Sequence, residues 1–138
     1  MEEITIESLY KTSERLTRLV DMKVRRYLLD KINWNGHLIA IKGARGVGKT
    51  TLMLQRIKES GLQNAALYVS LDNFWFTTHT LTEVVEYHYT HGGTHLFIDE
   101  VHKYPHWQTL IKNIADEYPD LAAADFPEQF LLLDLRSG

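Results

Sequence analysis

Apolar residues recur along this chain in two rhythms. In the first stretch, Leu9, Leu16, Leu19, Val20, Leu28, Leu29 and Ile32 follow spacings that largely suit a 3.6-residue period. That predicts a helix or a pair of helices over 6–32, broken by Asn33-Trp34-Asn35-Gly36. From His37 the rhythm changes to short continuous apolar runs separated by amphipathic stretches. His37–Lys42, Ala66–Leu71 and His95–Asp99 predict strands, while Lys49–Ser60, Leu81–Tyr89 and Trp107–Tyr118 predict helices. Local signals agree with these limits. Gly61 closes the first of these helices, Thr80 caps the second, Gly92-Gly93 ends it, and Pro105 precedes the third. Apolar strands separated by helices imply right-handed crossovers and a parallel sheet buried on both faces.

The end of the chain is different. From Ala122 it reads AAADFPEQFLLLDLRSG, with one apolar run, Phe130–Leu135, as a candidate fourth strand. The segment 116–138 carries six acids and a single base, Arg136. The expected organisation is a helical segment over 1–35, a core over 36–121 and an atypical segment over 122–138.

At 138 residues the chain is sized for one domain, and 44% hydrophobic with 24% charged residues is a folding composition. The absence of cysteine excludes disulfides, thiolate metal sites and thiol catalysis. A net charge of −3 argues against a generally basic nucleic-acid binder. Seven bases nevertheless fall in the first stretch: Lys11, Arg15, Arg18, Lys23, Arg25, Arg26 and Lys31. They read as a solvated face balanced by Glu14, Asp21 and Asp30, or as a docking surface for nucleic acid or an acidic partner. No apolar run has the roughly 18 residues of a membrane span, and the acidic start MEEITIESLY is unlike a signal peptide. A cytoplasmic protein is the expectation.

Chemistry enters at Gly43-Ala44-Arg45-Gly46-Val47-Gly48-Lys49-Thr50, which fits G-x-x-x-x-G-K-[ST] between a strand and a helix. Backbone N–H groups that wrap a polyphosphate must come close to it. Gly43, Gly46 and Gly48 permit that approach. The following helix adds unpaired donors and a positive dipole end. Lys49 suits the β- and γ-phosphates, Thr50 suits Mg²⁺, and Thr51 can reach an α-phosphate oxygen. Arg45 occupies a free position of the pattern and carries no expected catalytic role.

His95–Asp99 ends in two carboxylates, Asp99 and Glu100, at the strand end where parallel sheets bind ligands. Asp99 suits the Mg²⁺ shell, and Glu100 suits the orientation of an attacking water.

GARGVGKTTLM, YVSLD and LFIDEVHKYPHWQTLIKNIADEYPDL together resemble a prokaryotic family of AAA-type ATPases, over about Ile6–Leu121. Members often carry a further C-terminal domain of nuclease-like fold. The run Glu100–Pro105 followed by Trp107 is the most specific part of the likeness. The resemblance implies that Gly43–Thr51 bind ATP and that Asp99 and Glu100 serve Mg²⁺ and hydrolysis. It also implies a fourth strand after Leu121 ending in a small polar stretch that senses the γ-phosphate. Ala122–Phe130 lacks that stretch, whereas Leu132–Leu135 looks like what normally follows it, as though the reading frame were locally disrupted. The resulting fold class is α/β: a three-layer P-loop NTPase of the ASCE/AAA type with a parallel sheet of order 1-4-3-2 or a fragment of it. It is truncated and preceded by an N-terminal helical segment. The functional expectation is an ATP-binding core with Mg²⁺-dependent hydrolysis in its competent form. The alternatives are a nucleotide-binding switch and a hydrolysis-deficient remnant. A homo-oligomer or a protein partner stays open.

Other constellations weigh less. His88, His91 and His95 have metal-like spacing, but Gly92-Gly93 interrupts them, and Pro105 separates His102 from His106. Phe74-Trp75-Phe76 reads as core or partner-facing rather than as a nucleobase platform, and Asp72, at the end of the second strand, as a turn residue ahead of one that approaches the site.

Overall fold

A computed structural model describes residues 5–23, 38–43, 48–117 and 130–135. Its elements run α1 (Ile6–Leu19), β1 (Leu38–Gly43), α2 (Lys49–Ser60), β2 (Ala66–Ser70), α3 (Leu81–Thr90), β3 (His95–Asp99), α4 (Trp107–Glu117) and β4 (Phe130–Leu135). Short 3₁₀ turns occupy Phe74–Thr77 and Val101–Lys103. The strands and helices foreseen from His37 onward lie within a residue or so of these limits.

The sheet is parallel with order β2-β3-β1-β4. This overturns the expected order 1-4-3-2, which set the fourth strand between β1 and β3. Instead β1 bonds β3 directly along Leu38–Ala40, and β4 lies on the outer side of β1. Pairing there satisfies β1 along its whole length, from Leu38↔Phe130 to Gly43↔Leu135, and sets Lys42 opposite Asp134.

Right-handed crossovers decide which face each helix covers. The chain runs across the sheet one way from β1 to β2, and back from β2 through β3 to β4. The first connecting helix therefore belongs on one face and the next two on the other. Alternate side chains of the apolar strands confirm the division. Ala66, Tyr68 and Phe97 pack with Leu52, Met53, Leu54 and Ile57 of α2. Leu67, Val69, Leu96 and Ile98 pack with Leu81, Val84 and Val85 of α3 and with Ile111 and Ile114 of α4. Burial on both faces is why β2 and β3 read as unbroken apolar runs.

Helix α1 contacts both β2, which is an edge of the sheet, and α2. Its buried residues are Leu9, Ser13 and Thr17, one turn apart. The apolar spacing foresaw Leu9, and Leu16 and Val20 pack against the α2 side. It also included Leu19, which is 68% exposed, and it did not foresee Ser13 or Thr17. Ser13 is buried because its Oγ accepts the backbone N–H of Tyr68 at 2.9 Å, satisfying a donor on the edge strand. At the other end of α1, Lys58 Nζ donates to the carbonyls of Arg18 (2.9 Å) and Val20 (3.2 Å). Val20 has extended backbone and ends the helix. Lys11, Arg15 and Arg18 are exposed. The remainder of the helix foreseen over 6–32, with Arg25, Arg26 and Lys31, lies outside the described residues.

Candidate functional site

The carboxyl ends of β1, β2 and β3 face one side of the sheet. Gly43 closes β1, while Ala44, Arg45, Gly46 and Val47 lie outside the described residues. At Gly48 the backbone is left-handed, with φ 79°, a conformation that a side chain would strain. Helix α2 starts at the next residue, so Lys49, Thr50 and Thr51 form its first turn, where backbone N–H groups have no partner within the helix. Its positive dipole end points into the same region.

Asp99 ends β3 and is 1% exposed. Among the described residues, donors converge on both oxygens of its carboxylate. Thr50 Oγ1 donates to Oδ2 at 2.5 Å, and the Tyr68 phenol donates to the same oxygen at 2.6 Å. The backbone N–H of Glu100 donates to Oδ1 at 2.9 Å. A buried carboxylate is tolerable only with such partners. Burial, and then the Asp99 charge, push the Tyr68 phenol well above its ordinary value, so it stays a donor.

Glu100 has φ 56°, left-handed backbone in a residue other than glycine. That conformation costs roughly 1–2 kcal/mol. The bond from its N–H to Asp99 helps hold it there. His102 Nε2 stands 3.4 Å from Glu100 Oε2. Thr50, Tyr68, Asp99 and Glu100 line a cavity of about 280 Å³, closed from the α1 side by Leu9 and Leu16.

The structure therefore brings together Thr50, Asp99 and Glu100, three residues singled out by motif. It also adds residues that motif reading left out. Tyr68 enters the cleft from β2, Ser13 secures that strand from outside, and His102 faces Glu100. A signal for Tyr68 was present: it shares strand parity with Phe97 and Asp99 once the two strands are in register. For Ser13 no sequence signal pointed inward.

Asp72 accepts from Ser70 Oγ in the turn after β2, and it also lines the cavity. Trp75 is buried and stacks on His79 with centroids 4.2 Å apart, whereas Phe74 is 69% exposed. His88 is buried between two partners. Its Nε2–H donates to the His95 carbonyl, and its Nδ1 accepts from the Tyr10 hydroxyl, each at 2.8 Å. Among the described residues no helix is long and apolar enough to cross a membrane.

Neither the curated proteins nor the solved structures yield a match to the chain. A family model described as an AAA domain matches residues 35–124, about two thirds of the length, and spans both the phosphate-loop pattern and the acidic strand end. With that match set on a small parallel α/β sheet, the chain belongs to the AAA-domain family.

Proposed function

We propose that this chain is a P-loop NTPase core of the three-layer ASCE/AAA type that binds Mg·ATP through Gly43–Thr51. The observation that carries the reading is the Thr50–Asp99 hydrogen bond. It joins the first turn of α2 to the end of β3, and so joins the phosphate-loop pattern to the acidic pair. The donor set fits a hard divalent cation: a threonine hydroxyl and a carboxylate, both oxygen, on the wall of the cavity. Thr50 would hold Mg²⁺ directly, with Asp99 behind it. When bound, the cation would neutralise charge on the phosphates. Backbone N–H groups of the loop and of the first turn of α2 bind phosphate oxygens, and Lys49 adds a full positive charge at the β- and γ-phosphates. Glu100, held at the cavity wall by its left-handed backbone, orients the attacking water and accepts its proton.

The sheet order favours a second reading, a nucleotide-binding switch. In the described residues β1 bonds β3 directly, so no strand between them offers a polar residue to the γ-phosphate. Nucleotide would then be held and turned over slowly, and a homo-oligomer or protein partner would read the bound state. We place the protein in the cytoplasm.

Titration with a fluorescent ATP analogue and steady-state phosphate release test both readings. Lys49→Ala is expected to weaken binding more than tenfold. Glu100→Gln is expected to keep binding and lose release. Tight binding without release in the wild type selects the switch. Unchanged binding in Lys49→Ala refutes the nucleotide site.

A further inference from the structure

The phenol of Tyr68 is a group in the cleft that belongs to neither the phosphate-loop pattern nor the acidic pair. We propose that Tyr68 is a positioning residue that fixes the Asp99 carboxylate behind Thr50 and so sets the affinity for the divalent cation; the inference rests on the metal reading above. The geometry comes from the sheet. Tyr68 is the register partner of Phe97, and Asp99 lies two residues beyond Phe97 on the same face. A diagonal neighbour of that kind is within reach of a tyrosine. The hydroxyl accordingly meets Asp99 Oδ2 at 2.6 Å.

Each part of Tyr68 is held. Its ring is buried against α2 among Leu52, Met53 and Phe97. Its backbone N–H is bound by Ser13 of α1. Its hydroxyl faces a carboxylate oxygen, which can only accept, so its proton points at Asp99.

This matters for Thr50. Oδ2 accepts from both hydroxyls, and Oδ1 accepts from the Glu100 N–H. Donors on both oxygens fix the plane of the carboxylate. Because Thr50 spends its proton on Oδ2, its lone pairs are left to face a cation. Without the phenol, Asp99 keeps its charge but loses one of these fixing points, and the Thr50 hydroxyl loses its set direction. Partners that orient a metal's ligands are typically worth about 10–100-fold in metal affinity.

The test compares affinity for a fluorescent ATP analogue in millimolar Mg²⁺ and in EDTA, for the wild type and Tyr68→Phe. Phenylalanine keeps the ring that fills the α2 face, and a thermal melt checks the fold. The ratio of the two affinities should drop by about 10–100-fold in Tyr68→Phe, with metal-free binding within about twofold of wild type. A merely structural role would move both affinities and leave the ratio unchanged. In an Asp99→Asn background, Tyr68→Phe should have no further effect on the ratio. A wild type that responds to Mg²⁺ and a Tyr68→Phe that responds equally overturn this inference alone. A wild type indifferent to Mg²⁺ overturns the metal reading, and this inference with it.

Discussion

Gly93 is where a single methyl group should do the most damage. It follows α3 and its N–H donates to the His88 carbonyl at 2.7 Å. A Cβ built on Gly93 would lie 2.2 Å from Cε1, 2.3 Å from Nε2 and 2.4 Å from Nδ1 of the His88 imidazole. Those separations are far inside van der Waals contact, so Gly93→Ala forces the ring or the backbone to move. A flexible surface side chain would swing away at little cost. His88 cannot, because it is 4% exposed and both ring nitrogens are engaged, one by α1 through Tyr10 and one by the His95 carbonyl. Overpacking a site of this kind costs about 1–3 kcal/mol. Displacing the ring also strands a buried donor or acceptor, worth about 1–3 kcal/mol more. With partial relaxation we expect a loss of about 2–4 kcal/mol, at roughly 3–5 °C per kcal/mol for a chain of this size. Calorimetric melting at pH 7.5 should therefore show Tm lower by at least about 6 °C.

The mechanism makes a sharper claim than the magnitude. If the clash is with the imidazole, removing the imidazole removes the penalty. In a His88→Ala background, Gly93→Ala should cost less than about 0.5 kcal/mol, because two residues in contact couple and distant ones add. Equal costs in both backgrounds, or a Tm within 2 °C of wild type for Gly93→Ala alone, would refute the reasoning.

Two further outcomes follow from the same region. Burial holds His88 below its ordinary value of 6.5, although its bond to the His95 carbonyl works the other way. Below about pH 6.5 the unfolded chain takes up a proton that the folded chain refuses, so stability should fall from pH 7 toward pH 5.5 and be flat in this respect above pH 7. Urea midpoints at pH 7.5 and 5.5 check this, and a His88→Gln variant that folds should lose part of the slope; equal wild-type midpoints would contradict it. Thr80 and Glu83 form a reciprocal capping box at the start of α3, with both bonds 3.2 Å. Thr80→Ala should lower stability by about 1 kcal/mol, read as a urea midpoint, and a change under about 0.3 kcal/mol would show the cap to be idle.

What the sequence made legible, and what it did not, divides along the range of the interaction involved. The limits of β1, β2, β3 and the helices between them were readable because their causes are local: Gly61 closing a helix, Thr80 capping the next, apolar runs ended by Gly43 and by Asp99. The phosphate-loop pattern was readable because its residue types answer to backbone geometry within eight positions. Tyr68 was harder, since its partner is 31 residues away and only the β2–β3 register brings them together. Ser13 and Thr17 were unreadable: a polar residue faces inward when another element offers it a bond, and nothing in IESLYKTSERLTRL announces the Tyr68 N–H.

Strand order failed for a further reason. The orders 1-4-3-2 and the observed β4-β1-β3-β2 both carry the chain from β3 toward β1, so right-handed crossovers put α4 on the same face in either case. Handedness therefore cannot separate them. The choice rests on which partner satisfies β1, and β4 does so across all six residues of that strand while β3 does so across Leu38–Ala40. An apolar strand pairs as readily inside a sheet as at its flank, so Phe130–Leu135 could announce that it is a strand without announcing where it goes. The consequence is functional. A strand between β1 and β3 would have placed its carboxyl end beside Asp99 and Glu100. With β4 outside, β1 takes that place beside β3, while β2 flanks β3 in either order and brings the Tyr68 phenol to the Asp99 carboxylate from the side away from β1.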